Sequence, residues 1–303
     1  MFKDVTDPIA SAGSPIAERH GAARDPSAPP PGAATDWTVP QCWDDLEAED
    51  HAVWDLLFAR QQSALAGRAV RAFEEGLEVL RLSRPGVPEF DELNERLFGR
   101  TGWTVVAVPG LVPDDVFFEH LRHRRFPAGN FIRKRSQLDY LEEPDVFHDV
   151  FGHVPLLANP AIADFVQALG ALGLQAMQSN ALHRLTRLYW YTVEFGLIDT
   201  PQGIRTYGAG ILSSGGEIGY CIESPNPNRI GFDLLRIMQT RYKIDTYQET
   251  YFVIRDFGQL FDATAPDFTP YYDELRGREP HAPSAVLAND KVYHRGILPM
   301  RAA

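Results

Sequence analysis

Apolar residues along the chain return at helical spacing in most segments and alternate or cluster in only a few. Asp44 and Asp45 precede a stretch that places Leu46, Val53, Trp54, Leu57 and Phe58 on one side of a helix. A second helix is predicted over Ala69 to Leu82, and a third carries Phe90, Leu93 and Leu97, with Gly99 as its C-terminal cap. Trp103 to Val108 is short and β-branched and stops at Pro109-Gly110, the pattern of a strand. Asn159 followed by Pro160 predicts a helix start, because Asn accepts from free N–H groups and Pro fits the first turn. Ile162, Phe165, Val166, Leu169 and Leu172 supply the buried side of that helix. From Ala181 to Leu197 apolar and aromatic residues fall on nearly all sides, as expected of a helix inside a domain. Further helices are predicted over Arg229 to Tyr242 and Tyr247 to Phe261. No repeat of 20 to 50 residues is seen, so the expectation is a mainly α, single helical domain with a few short strands.

Residues 1–35, rich in Ala, Pro, Gly and Ser and without hydrophobic period, are expected to be a disordered leader. That leaves 36–281 as the single globular domain and 282–303 as a C-terminal extension. The chain's 44% apolar and 23% charged residues are those of an ordinary globular protein. No apolar run is long enough for a membrane helix and no export signal is recognisable. Cys42 and Cys221 are too few for a disulfide framework or a zinc knuckle, and the expected compartment is the cytoplasm. The net charge of −12 disfavours binding to nucleic acid or anionic lipid. One segment runs against it: Arg122, Arg124, Arg125, Arg133, Lys134 and Arg135, interleaved with Phe126 and Phe131. It could contact RNA, pair with the acidic run Asp139, Glu142, Glu143 and Asp145, or hold a small anion.

Three segments could carry chemistry. In His148-Asp149-Val150-Phe151-Gly152-His153 the histidines are five apart, an advance of about 500° on an α-helix, which leaves them roughly 140° from one another. A π-bulge or a helix end, for which Gly152 and Pro155 are well placed, would turn them together; otherwise they are core histidines. Glu194 lies in an apolar stripe with Trp190, Val193 and Leu197, and a buried carboxylate needs a cation, which an arginine or a metal ion would supply. Two His and one Glu suit non-haem Fe(II) with open positions, zinc being the rival metal. A hydrolase with zinc would commonly show H-E-x-x-H, which is missing. His120 and His123 beside Glu119 form a weaker site, because Arg122, Arg124 and Arg125 would repel a dication. The third segment, Tyr207 to Glu217, has two glycines of a dinucleotide fingerprint but Ser213 in place of the third, and reads better as a tight turn offering two hydroxyls.

Glu143 to Leu156 resembles the signature of the pterin-dependent aromatic amino acid hydroxylases, and Tyr189 to Gly196 and Tyr207 to Ser214 look like that family's next two landmarks, in order. The resemblance runs from Trp37 to Phe261 and, within the family, is strongest to the short bacterial enzymes that act on phenylalanine. It implies an iron site in a central cleft of a helical catalytic domain, with Fe(II) on His148, His153 and Glu194. It also implies that Gly110, Leu111 and Val112 meet tetrahydropterin through backbone groups, that Phe117 stacks on its ring, and that Asp149 lies near it, where animal enzymes have Glu. Arg133 would clamp the substrate carboxylate; Pro144, Trp190 and Phe195 would line the phenyl pocket; Ser213 and Ser214 would meet substrate or an iron-bound imidazole. Leu141 and Pro127 stand where animal members carry threonine and histidine, so contacts there are expected to differ. The reaction so implied opens phenylalanine catabolism: a ferryl oxygen formed from O₂ and tetrahydropterin attacks the ring, giving L-tyrosine and a 4a-hydroxypterin that a separate enzyme recycles. Ile244 is aliphatic where tyrosine enzymes carry an acid, which favours L-phenylalanine, with tryptophan as the alternative. No room exists for the animal enzymes' regulatory domain or tetramerisation helix, so a monomer is expected.

Overall fold

From Val53 and Trp54 the pattern returns after three or four positions at Leu57, Gln61 and Leu65, and these five residues are the buried face of the helix Ala48–Leu65. The computed structural model describes residues 28–139 and 143–297, so the first 27 residues of the leader and Leu141 lie outside the described residues. The helix Arg71–Val79 follows, shorter than the pattern suggested. In Phe90–Thr101 the buried residues are Phe90, Leu93 and Leu97, but the helix runs through Gly99 and ends at Gly102, whose φ of 75° is the left-handed turn that glycine adopts without strain. Asn159 does begin the helix Pro160–Gln178, its side chain accepting from Ala161 N at 3.0 Å. This long helix packs against Asp114–Arg122 with backbones nearly touching. A Cβ on Gly170 would come within 2.2 Å of the Arg122 N, and one on Gly173 within 2.2 Å of the Phe118 ring.

Among the described residues seven strands form two sheets. β1 (Thr104–Val108) and β2 (Arg125–Gly129) are a parallel pair, and Pro127 lies opposite Val106 within it. β3 (Leu197–Thr200), β4 (Gly203–Thr206), β5 (Asn228–Gly231), β6 (Thr250–Ile254) and β7 (Val292–His294) build a mixed sheet in the order β4-β3-β6-β5-β7. Two predicted helices are corrected here. Arg229 to Tyr242 holds β5 and only a short helix, Leu234–Met238, and Tyr247 to Phe261 holds β6 before the helix Phe257–Thr264. β6 reads Thr-Tyr-Phe-Val-Ile and is buried at every position, so it shows the continuous apolar run of a central parallel strand and no alternation. The C-terminal extension contributes β7, antiparallel to β5.

The predicted helix Ala181 to Leu197 is likewise cut short. It is α-helical over Leu182–Tyr189, widens to a π-helix over Trp190–Glu194, and gives way to β3 at Leu197. This leaves Glu194 at the end of a wide turn beside a second one, Phe147–His153, with the single helical turn Ala209–Leu212 packed against both.

Candidate metal centre and active site

His148 and His153 share one face because the segment between them is π-helical. With i→i+5 hydrogen bonds the fifth residue returns above the first, and the two Nε2 atoms are 3.4 Å apart with ring planes at 85°. Local packing favours the wide turn. Phe147 and Phe151 stack at 4.7 Å, Trp54 meets Phe147 edge-on at 5.1 Å, and Pro155 has no N–H with which to continue an ordinary helical ladder back to Phe151. Glu194 is delivered by the second wide turn, closed by the Phe195 N donating to the Trp190 carbonyl at 2.9 Å. Its Oε1 is 3.2 Å from His153 Nε2 and its Oε2 3.8 Å from His148 Nε2. Gly208 lets the backbone close behind it, since a Cβ there would stand 2.4 Å from the Glu194 carbonyl oxygen.

The charge states of His148 and Glu194 suit ligands. Burial pushes His148 down to about 4, so its imidazole is neutral. Burial also opposes ionisation of Glu194 and of His153, but the two face one another, so the carboxyl is lowered and the imidazole raised; the proton that this pair holds is the one a divalent ion displaces when His153 becomes a donor. Ser213 Oγ has one proton, directed at the Ala209 carbonyl at 2.8 Å, so it accepts from His148 Nδ1, also at 2.8 Å. That leaves the His148 Nε2 lone pair aimed at the other two groups. The two nitrogens, 3.4 Å apart, and the Glu194 carboxylate, with one oxygen 3.2 Å from His153 and the other 3.8 Å from His148, are close enough for donors that share one divalent ion at about 2.1 Å each. Asp149 competes for the third place, as donor atoms of His148, Asp149 and His153 fall within 4.8 Å of one another. Its Oδ2, however, accepts from Gly129 N at 2.8 Å, and burial pushes its carboxyl up to about 7, which favours the neutral acid. Glu194 is the better ligand.

Beside this centre Arg133 is locked by Asp145. Its Nε and Nη2 each donate to the carboxylate at 2.8 Å and its backbone N at 2.9 Å, while His148 N donates to the same carboxylate at 3.1 Å. Asp145 is fully buried, which would raise its pKa, but these donors hold it below the usual carboxylate range. Nη1 of Arg133 has no hydrogen-bond partner among the described residues. Trp190 stacks on Tyr242 at 4.4 Å and leans on Phe195 at 4.8 Å, forming an aromatic wall next to Glu194.

The comparisons with known proteins fit this arrangement. Residues 38–268 match the model of the biopterin-dependent aromatic amino acid hydroxylases. The chain belongs to that family. It is 58% identical over 263 residues to the phenylalanine-4-hydroxylase of Chromobacterium violaceum, covering 87% of this chain and 89% of the relative. The Caulobacter vibrioides phenylalanine-4-hydroxylase is 53% identical, with 88% of this chain and 91% of the relative covered. Among solved structures, the C. violaceum phenylalanine hydroxylase bound to cobalt superposes with a TM-score of 0.84 at 59% identity, and the form with iron and phenylalanine with 0.82 at 57%; each comparison covers 86% of this chain and 94% of the other.

The other residues expected to meet pterin or substrate have these surroundings. Gly110, Leu111 and Val112 form the turn after β1, and Leu111 N donates to Glu143 Oε1 at 3.1 Å. A Cβ on Gly110, where φ is 151°, would stand 2.5 Å from that oxygen. Glu143 thus ties the turn expected to meet pterin to the start of the metal-binding segment. Phe117 meets Tyr189 edge-on at 5.7 Å. The Pro144 carbonyl and Asp149 Oδ2 both lie against Gly129, 3.3 and 3.5 Å from where its Cβ would be. Ser214, in contrast to Ser213, has its hydroxyl on Glu217 N at 3.3 Å. Ile244 is 48% exposed, on the loop that follows Tyr242.

The basic segment is a set of separate ion pairs. Arg122 pairs with Glu119, Arg124 with Asp164, Arg125 with Asp36, Arg133 with Asp145 and Arg135 with Glu49. Of the acidic run expected to partner them, Asp145 alone serves among the described residues, Asp139 pairs instead with Arg60, and Glu142 lies outside the described residues. His120 Nε2 lies 2.8 Å from the Asp36 carbonyl and His123 Nε2 2.9 Å from Glu119, so the rival metal site is two ordinary hydrogen bonds.

Proposed function

We propose that the chain hydroxylates L-phenylalanine at C4, using O₂ and tetrahydropterin, to give L-tyrosine and 4a-hydroxytetrahydropterin, with Fe(II) held by His148, His153 and Glu194. One oxygen atom goes to each product. The observation that carries the reading is the convergence of these three donors beside an arginine whose guanidinium is fixed by a buried carboxylate. The phenylalanine-4-hydroxylases at 53 and 58% identity support phenylalanine as the substrate.

When bound, iron and pterin supply the activation of oxygen and the oxidation of the ring. The chain's own residues bind and orient. Arg133, held flat by Asp145, offers its free edge to the amino acid carboxylate. Pro144, Trp190 and Phe195 exclude water from around the phenyl ring. Gly110, Leu111 and Val112 give backbone groups to the pterin, with Phe117 against its ring and Asp149 at its polar edge. Ser213 holds the proton on His148 Nδ1, so that Nε2 remains the donor. A cytoplasmic monomer completes the reading; the free thiols of Cys42 and Cys221 agree with a reducing compartment.

The test is anaerobic loading with Fe(II), then O₂, a tetrahydropterin and, separately, Phe, Tyr or Trp, with products read by mass. Tyrosine from Phe that needs every component and disappears in Glu194→Ala supports the proposal. Hydroxylation of Trp alone, or product formed without pterin, contradicts it.

A further inference from the structure

Gln61 is a polar residue in an apolar row. It lies on the buried face of Ala48–Leu65 and is 3% exposed. A buried carboxamide is costly unless its donors are used, and those of Gln61 have one destination. Nε2 donates to the Leu212 carbonyl at 2.7 Å and to the Ser214 carbonyl at 3.2 Å, more than 150 residues away in sequence. These carbonyls stand on either side of Ser213. The first closes Ala209–Leu212, a helix of one turn, the second lies two residues beyond it, and neither accepts a backbone N–H among the described residues. Beyond them come Gly215 and Gly216, with no side chains to hold the loop in place.

We infer that Gln61 is a positioning residue for the metal centre: by holding both peptide carbonyls that flank Ser213, it sets the hydroxyl that receives the Nδ1 proton of His148. The inference rests on the proposed reading of His148 as a metal ligand. It extends the site to a helix that contributes no ligand. The chain of contacts runs from Gln61 to the carbonyls of Leu212 and Ser214 on either side of Ser213, from Ser213 Oγ to His148 Nδ1, and across the ring to Nε2.

Co(II) titration of the metal-free full chain tests it, with thermal unfolding as a parallel readout. Gln61→Met keeps the shape and removes both donors. We expect it to weaken Co(II) binding about tenfold, as loss of an outer partner of a metal-bound histidine does. Ser213→Ala should do at least as much, and the double variant should bind no more weakly than Ser213→Ala alone, because Gln61 acts through Ser213. Should Gln61→Met fail to fold, Gln61→Glu, which lacks the paired N–H donors, takes its place with the same expectation. A lowered melting temperature with unchanged Co(II) affinity would make Gln61 a purely structural residue and overturn the inference, as would losses that add in the double variant. If His148→Ala binds Co(II) as well as the unaltered chain, the metal reading fails and this inference with it; if His148→Ala loses the ion and Gln61→Met does not, only this inference fails.

Discussion

His148 donates through Nδ1 to Ser213 Oγ at 2.8 Å, across 65 positions of sequence, and the Ser213 hydroxyl donates to the Ala209 carbonyl at 2.8 Å. The imidazole is therefore held in one tautomer before any ion arrives. Ser213→Ala should lower Fe(II) or Co(II) affinity by about 10–100-fold. It should change folding stability by only about 1 kcal/mol, the net worth of a typical hydrogen bond. Metal titration beside a urea unfolding curve separates the two effects.

Arg133 and Asp145 should differ in what their removal does. Arg133→Lys keeps a charge but not the two-pronged geometry, so KM for phenylalanine should rise about 10–100-fold with kcat less affected, the signature of lost ground-state binding. Asp145→Ala leaves Arg133 buried without its partner, and should cost about 3–5 kcal/mol of stability before any effect on kinetics. Steady-state kinetics of the first and chemical unfolding of the second check this.

Glu217 gives a pH dependence away from the metal. It accepts from the Tyr251 hydroxyl at 2.5 Å and from Gln248 N at 3.3 Å, yet burial outweighs both donors and pushes its carboxyl from 4.5 up to about 7. Between those values the folded chain keeps a proton that the unfolded chain has lost. The contribution is complete below 4.5 and disappears as pH rises through 7, a loss of roughly 3 kcal/mol. Unfolding curves at about pH 5 and pH 8 should show that decline in the unaltered chain and a smaller one in Glu217→Gln.

Gly208→Ala should damage the site from behind. The new Cβ would stand 2.4 Å from the Glu194 carbonyl and 2.5 Å from Gly196 N, so the backbone that carries the carboxylate must shift. Stability should fall by about 1–3 kcal/mol, as in other overpacked positions. Metal affinity should fall with it, which isothermal titration of the variant would read.

The sequence discloses those parts of the molecule that depend on near neighbours. Phe90, Leu93 and Leu97, or Asn159 before Pro160, announce their helices because periodicity and capping are local. The histidine spacing announced that an ordinary helix could not hold a metal there, and the π-helix Phe147–His153 answers it. β6 reads as helix in the sequence because a strand buried on both faces carries no alternation to distinguish it. Asp145 as the anchor of Arg133, Glu143 as the tie of the Leu111 turn, and Gln61 as the brace of Ser213 carry no pattern of their own. Their partners are brought to them by the tertiary fold. Asp145 and Glu143 did stand inside a recognisable motif; Gln61 had no such signal.

The most direct test of the centre is the Co(II) stoichiometry of four full-length proteins: the unaltered chain, His153→Ala, Glu194→Gln and Asp149→Asn. With His148, His153 and Glu194 as the ligands, the unaltered chain and Asp149→Asn bind one ion per chain, and the other two bind none at comparable concentration. An Asp149→Asn protein that loses the ion while Glu194→Gln keeps it would contradict that assignment.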